Sequence, residues 1–360
     1  SVYLEAIRQM RLECADPSDC CYVHLTLMPY ISSAGELKTK PTQSSVKSLR
    51  SVGIQPDVIV CRTEVPMSGE GKDKIALFCN VKTSNVIQNM DVDMLYDLPL
   101  VLEKEGLARA VLAELHLPDT TPDLEGWRML ARRAREVAKP VRVAVVSKYP
   151  SVPDACLSVM EAIRHAAIQT GVRAVIDLVD ARSITEDTAE ALLGRYAALV
   201  IPGGYGATGA DGMIAAARFA RENQIPFLAI GYGMQLTIVE AARSLLQLAD
   251  AHTTEVDCET RHAVVRIPEE RICQNDSRSR ARMGLSGIKL ADGMLRTLYG
   301  SDCIAERHSN RYEVDPAYVQ ALAQKGLKLA GSSVDAGYPE AFELEGHPFY
   351  AAVIYHPEYI

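Results

Sequence analysis

Apolar and polar positions follow two regimes along this chain. From residue 141 onward, short and nearly unbroken apolar runs recur, at 141–146, 174–179, 197–201 and 227–230. Such runs suit strands covered on both faces. Amphipathic stretches lie between them. Cys156, Val159, Met160, Ile163 and Ala167 form one stripe at helical spacing, with Asp154 expected as N-cap and Gly171 as the closing residue. Further helices are expected over 186–194 and 212–222. Strand and helix alternate, which predicts an α/β domain with a parallel, doubly wound sheet.

The earlier part is less regular. Residues 58–61 read as a buried strand, and 74–79 as a helix or strand feeding a turn. A polar run, Gly35-Glu36-Leu37-Lys38-Thr39-Lys40-Pro41-Thr42-Gln43, precedes them. Pro118 to Asp123 is turn chemistry, followed by a charged helix over 124–137 that ends at Lys139-Pro140. The expected organisation is therefore a first domain over 1–117, a linker over 118–140 and a second domain over 141–360.

At 360 residues the chain can build two proper cores. A net charge of −8 argues against nucleic-acid or anionic-membrane surfaces, while leaving room for a local basic pocket. No apolar run reaches membrane-spanning length. The first residues, Ser1 to Arg8, are amphipathic, carry an acid and read as the continuation of a helix. An earlier natural start is the expectation. The nine cysteines form no Cys-x-x-Cys pair, so reduced, buried thiols in the cytoplasm or another reducing compartment are expected. The eight histidines show no ligand spacing, and no metal site is expected.

Candidate chemistry lies in the second half. Phe227-Leu228-Ala229-Ile230-Gly231-Tyr232-Gly233-Met234-Gln235 is a strand, a tight glycine turn and a helix start. A turn of this kind lifts one side chain above the sheet edge, at the end of a helix that stabilises an anion. Alone, it is a connection found throughout α/β proteins. Two further segments sharpen it. Pro202-Gly203-Gly204-Tyr205-Gly206 can aim backbone N–H groups at a developing oxyanion. His356 and Glu358 leave an expected strand over 351–355 one residue apart, so alternation puts them on one face as an imidazole and its orienting carboxylate. Glu255 and Arg282 are isolated charges able to clamp the two ends of an amino acid.

On these residues the chain resembles the CTP synthase family, from the later part of its amidoligase domain through most of its class I glutamine amidotransferase domain. His24-Leu25-Thr26, the run from Gly35 to Gln43, Gly53 to Asp57, Lys74 to Val81, Asp91-Val92-Asp93, Arg307-His308, Arg311 to Val314 and His356-Pro357-Glu358 fall in family order. The resemblance implies a P-loop-type α/β amidoligase portion followed by the glutaminase fold. The family makes CTP from UTP, ATP and ammonia, the ammonia coming from glutamine. Lys38, Thr39, Lys40, Pro41, Thr42, Gln43 and Lys74 would hold UTP or CTP; Arg62, Asp91 and Val92 would meet ATP. Gly204, Tyr232, Gly233, Met234, Gln235, Glu255 and Arg282 would form the glutamine pocket, and His356 with Glu358 the acid–base pair.

Three departures matter. Gly231 stands where the family has its nucleophilic cysteine. Thr208 stands where it has an arginine in a loop tied to GTP activation. The phosphate loop and the magnesium-binding acids of the family precede the matched region, so no cofactor is expected in this chain, and ATP and Mg²⁺ only with that segment supplied. Three functions remain open: a non-catalytic binding or scaffold subunit, an amidoligase fed by free ammonia once completed, and a glutamine or nucleotide sensor. A homo-oligomer or a place in a larger assembly is expected.

Overall fold

The computed structural model describes every residue except 138, 273–280 and 360. Two compact units divide the chain, Ser1–Glu136 and Val137–Ile360. Helix Glu125–Glu136, inside the stretch read as a linker, belongs to the first unit. It buries Ala131 and pairs Arg135 with Asp97.

The first unit carries a three-stranded parallel sheet in the spatial order Val23–Leu27, Val58–Thr63, Val86–Met90. The middle strand is buried at every position but Arg62, as a strand covered on both faces must be. Residues 74–79 resolve as the end of helix Gly69–Cys79. Ser68 accepts from the Gly71 N–H at its start, and Ile75, Ala76 and Cys79 face inward at helical spacing.

The second unit is built on a nine-stranded sheet. Five neighbours are parallel, in the order Tyr350–Val353, Phe227–Ile230, Ala198–Ile201, Pro140–Ser147 and Arg173–Asp180. Helices Ala210–Glu222 and Tyr232–Leu245 cover one face and Leu157–Thr170 the other. The sequence reading identified these layers but not the wing beside them. There Pro339–Leu344, Leu327–Ser333, Arg282–Leu290 and Cys303–Asn310 extend the sheet in antiparallel pairs. Cys303–Asn310 alternates exposed and buried positions, so it has no continuous apolar run to betray it.

Some boundaries differ from expectation. Asp154 is not the N-cap. It lies in a 3-10 turn, Pro153–Cys156, and the helix begins at Leu157. Gly171 does close that helix, at φ +74°. The helix expected over 186–194 shrinks to Ala189–Leu193, because Thr185 and Thr188 exchange side-chain-to-backbone bonds that hold a turn ahead of it. Cys61, Cys79 and Cys156 are buried as expected, but Cys258 and Cys303 are exposed. Cys273 lies outside the described residues.

Candidate functional site

Three adjacent parallel strands end at one place, and each delivers a piece of the site. Ligands in open α/β sheets gather at such carboxyl ends. Ala198–Ile201 leads into the Gly203–Gly206 loop, Phe227–Ile230 into Gly231, and Tyr350–Val353 towards His356.

The elbow turns tightly at Gly231. Gly231 adopts φ +56° and ψ −114°, a conformation that glycine takes without penalty. Its N–H donates to Val353 O at 2.8 Å. Gly233 allows the helix to close on the neighbouring strand, since a Cβ there would stand 2.3 Å from Ile201 O. A Cβ on Gly231 would stand 3.3 Å from both Cε1 and Nε2 of His356, and 3.6 Å from Gly203 Cα. Gly203 borders the same place, and a Cβ there would stand 3.1 Å from His356 Cε1.

His356 Nδ1 lies 2.8 Å from Glu358 Oε1, and the carboxylate is almost wholly buried. The pair is not presented by strand alternation. The strand stops at Val353, and Pro357–Tyr359 forms a 3-10 turn that folds Glu358 back onto the imidazole. The His356 N–H donates to Arg307 O at 2.9 Å, which fixes the turn against the antiparallel wing.

Beside the elbow opens a cavity of about 540 Å³. Gly204, Tyr232 and Gln235 line it from the elbow side, Glu255 and Arg311 supply opposite charges, and Met283 adds an apolar wall. Burial pushes the Glu255 carboxyl above its usual range, opposed by the Gly206 N–H, Lys148 and Arg311. The Gly206 N–H reaches Glu255 Oε1 at 2.8 Å. Gln235 is buried, and its Oε1 has no hydrogen-bond partner among the described residues. Tyr232 donates its hydroxyl to Gly206 O at 2.7 Å, which pins its ring across the loop.

Several expected site residues lie elsewhere. Arg282 does not line the cavity. Its neighbours Ala281 and Met283 do, while Arg282 alternates to the other side of its strand. There it is bound by Glu340 at 2.6 and 2.8 Å and lies 3.7 Å from Glu313. Met234 faces the core, fully buried, and does not line the cavity either. In the first unit a cavity of about 360 Å³ is lined by Thr39, Lys74, Glu36, Ser68 and Gly71 among others. Thr39 precedes helix Lys40–Ser51, with Pro41 in its first turn. Lys38 pairs with Glu36. The Thr42 side chain is fully buried beside Thr26 and does not line that cavity, whereas Gln43 bonds back to Thr39 Oγ1. Arg62 and Asp91 form an exposed ion pair at 2.7 Å, followed by half-buried Val92.

The comparisons agree with this layout. Residues 1–117 match the family model described as CTP synthase N-terminus, and residues 151–360 the one described as glutamine amidotransferase class-I. A CTP synthase from Symbiobacterium thermophilum is 43% identical over 99% of this chain and 67% of its own length. One from a Cyanothece strain is 44% identical, with 99% and 65% covered. The chain belongs to the CTP synthase family. It spans about two thirds of the length of these curated relatives. Among solved structures, the glutaminase domain of a Trypanosoma brucei CTP synthase with bound acivicin is 32% identical, with a TM-score of 0.58 over 61% of this chain and 87% of that one.

Two residues of this family member escaped the sequence reading. Arg311 is the guanidinium in the cavity, and it sat within a motif quoted for the resemblance without receiving a role. Lys148 follows strand Pro140–Ser147, the fourth strand end at the site. It is buried, donates to Gly206 O at 2.7 Å and to Tyr205 O, and lies 5.1 Å from the Tyr232 ring centroid. Burial pushes its ammonium below the usual lysine range, with Glu255 opposing. A lone lysine after a strand gives no sequence signal, although a strand's carboxyl end is where one should look.

Proposed function

We propose that the second unit holds glutamine without cleaving it, and that the chain acts as a non-catalytic binding or scaffold subunit in the CTP synthase family. The carrying observation is Gly231 at the elbow beside an intact His356–Glu358 pair. Covalent amide hydrolysis needs an atom to attack the carbonyl, and a base without a nucleophile beside it supplies none. Glu255 and Arg311 suit the ammonium and carboxylate ends of an amino acid, and Gln235 Oε1 offers an acceptor between them. Incubating the purified chain with glutamine tests this. The expected result is calorimetric binding with no glutamate above the buffer rate; steady glutamate release overturns the reading.

A second reading rests on the first-unit cavity at Thr39 and Lys74. Completed by the segment that its relatives carry beyond the matched region, the chain would make CTP from UTP, ATP and ammonia, with Mg²⁺ held by that segment. Adding that segment with ATP, UTP, Mg²⁺ and ammonium chloride is expected to yield CTP, and no product across a wide ammonia range overturns it. The pairing of a glutamine cavity with a nucleotide cavity also suits a sensor.

A further inference from the structure

The second unit buries an ionised cluster beside the glutamine cavity. His308, Glu340 and Arg282 come from three strands, Cys303–Asn310, Pro339–Leu344 and Arg282–Leu290. The side chains of His308 and Glu340 are wholly buried. His308 Nδ1 stands 3.0 Å from Glu306 O, and Nε2 stands 2.8 Å from Glu340 Oε2. A backbone carbonyl only accepts, so Nδ1 donates. Burial alone would raise the Glu340 carboxyl, yet bonds from His308 and Arg282 hold it below its ordinary range. Glu340 is therefore a carboxylate, which also only accepts, so Nε2 donates as well. Both ring nitrogens carry hydrogen only in the imidazolium.

The other charged and titratable groups around the ring come from several elements. Arg282 meets Glu340 at 2.6 and 2.8 Å. On the ring's own strand, burial pushes the Glu306 carboxyl up; the Tyr299 hydroxyl, donating to it at 2.7 Å, and His308 oppose this, while Glu358 adds to the rise. The Tyr355 ring stands edge-on to the imidazole, with centroids 6.2 Å apart. The cluster ties together strands that are not neighbours, since Arg282–Leu290 and Leu327–Ser333 separate Cys303–Asn310 from Pro339–Leu344 in the sheet. Directly after His308, Ser309, Asn310 and Arg311 line the glutamine cavity. Directly before it, Arg307 O accepts the His356 N–H at 2.9 Å.

We propose that His308 is a buried imidazolium whose loss of a proton, as pH rises, loosens the cavity wall at Ser309, Asn310 and Arg311 and releases the ligand held there. A neutral ring keeps one N–H and turns a lone pair towards Glu306 O or Glu340, so one bond is lost and two acceptors face each other. The stabilisation is present at low pH and is lost as pH rises. For its ligand the inference rests on the glutamine reading above; the switch rests on the geometry of His308.

The test uses the full chain with isotopically labelled histidine, beside His308→Gln. Imidazole nitrogen NMR, amide hydrogen-exchange protection and glutamine calorimetry are followed from neutral to alkaline pH. At neutral pH the native chain is expected to show one imidazole with both nitrogens protonated and shielded from solvent, a signal missing from His308→Gln. As that imidazole titrates, protection over 303–310 should drop and glutamine affinity should fall on the order of 10-fold. His308→Gln should lack both changes. A neutral His308 ring at neutral pH overturns the proposal, as does protection that follows pH equally in the two proteins. The NMR spectrum of the native chain decides even where His308→Gln misfolds. Glutamine affinity that ignores the titration removes this inference alone. Glutamine binding at no pH removes the glutamine reading and the ligand release with it, and the protection data then decide the switch.

Discussion

Gly231 and His356 face each other so closely that a Cβ on the glycine would stand 3.3 Å from the imidazole Nε2. The turn at Gly231 and the imidazole therefore share one small space. The backbone at Gly231 is already turned to φ +56°, and Glu358 still orients the ring.

Introducing a thiol at the elbow is the most direct experiment. Gly231→Cys should gain covalent labelling by an electrophilic glutamine analogue, detected as a mass increase absent from the native chain. A non-glycine residue in this conformation costs about 1–3 kcal/mol, so a modest fall in melting temperature should accompany the gain. Labelling that survives in His356→Ala at an unchanged rate would show that the imidazole does not assist.

Arg311 and Arg282 should separate binding from stability. Arg311→Ala removes a charge-assisted contact of about 1.5–3 kcal/mol, an expected loss of roughly 10- to 150-fold in glutamine affinity by calorimetry. Arg282→Ala leaves the fully buried Glu340 without its guanidinium and should destabilise the chain by about 3–5 kcal/mol in denaturant melts. If Arg282→Ala instead weakens glutamine binding in a fold of native stability, the assignment of roles is reversed.

Glutamine affinity should depend on pH through Glu255. Burial raises its pKa, and only the carboxylate form can accept an ammonium group. Lowering the pH protonates it, so affinity should fall on acidification, with a midpoint above that of an ordinary glutamate. Glu255→Gln should bind weakly and without that pH dependence. A midpoint at or below the ordinary range would contradict the burial argument.

Lys74 tests the first-unit cavity. Lys74→Ala should weaken CTP or UTP binding by about 10-fold or more, with reduced salt dependence, since an exposed ammonium meets phosphate as a point charge. Thr42→Ala should leave nucleotide affinity unchanged and lower stability, because its hydroxyl is buried against Thr26. Nucleotide titrations at two ionic strengths check both.

The sequence carried the parallel half of the second unit because buried strands and amphipathic helices write their periods directly into the chain. It also carried the elbow, the glycine loop and the His356–Glu358 pair, though for that pair the mechanism was wrong. A proline-led turn, not strand alternation, brings the two together. Arg282 and Arg311 show why the rest was illegible. Both are charged residues near strand ends, and one-dimensional spacing cannot tell which of them meets a buried glutamate.

By itself the sequence determined that no sulfur stands at the elbow, because residue identity is independent of conformation. Only the tertiary structure decided which charges meet. Glu340 captures Arg282 on one side of its strand, leaving Arg311, just beyond the neighbouring strand Cys303–Asn310, to line the cavity with Glu255. The reason is that side-chain partners are set by which strands lie next to each other and in which register. Contacts distant in sequence fix that pairing, and no local pattern encodes it.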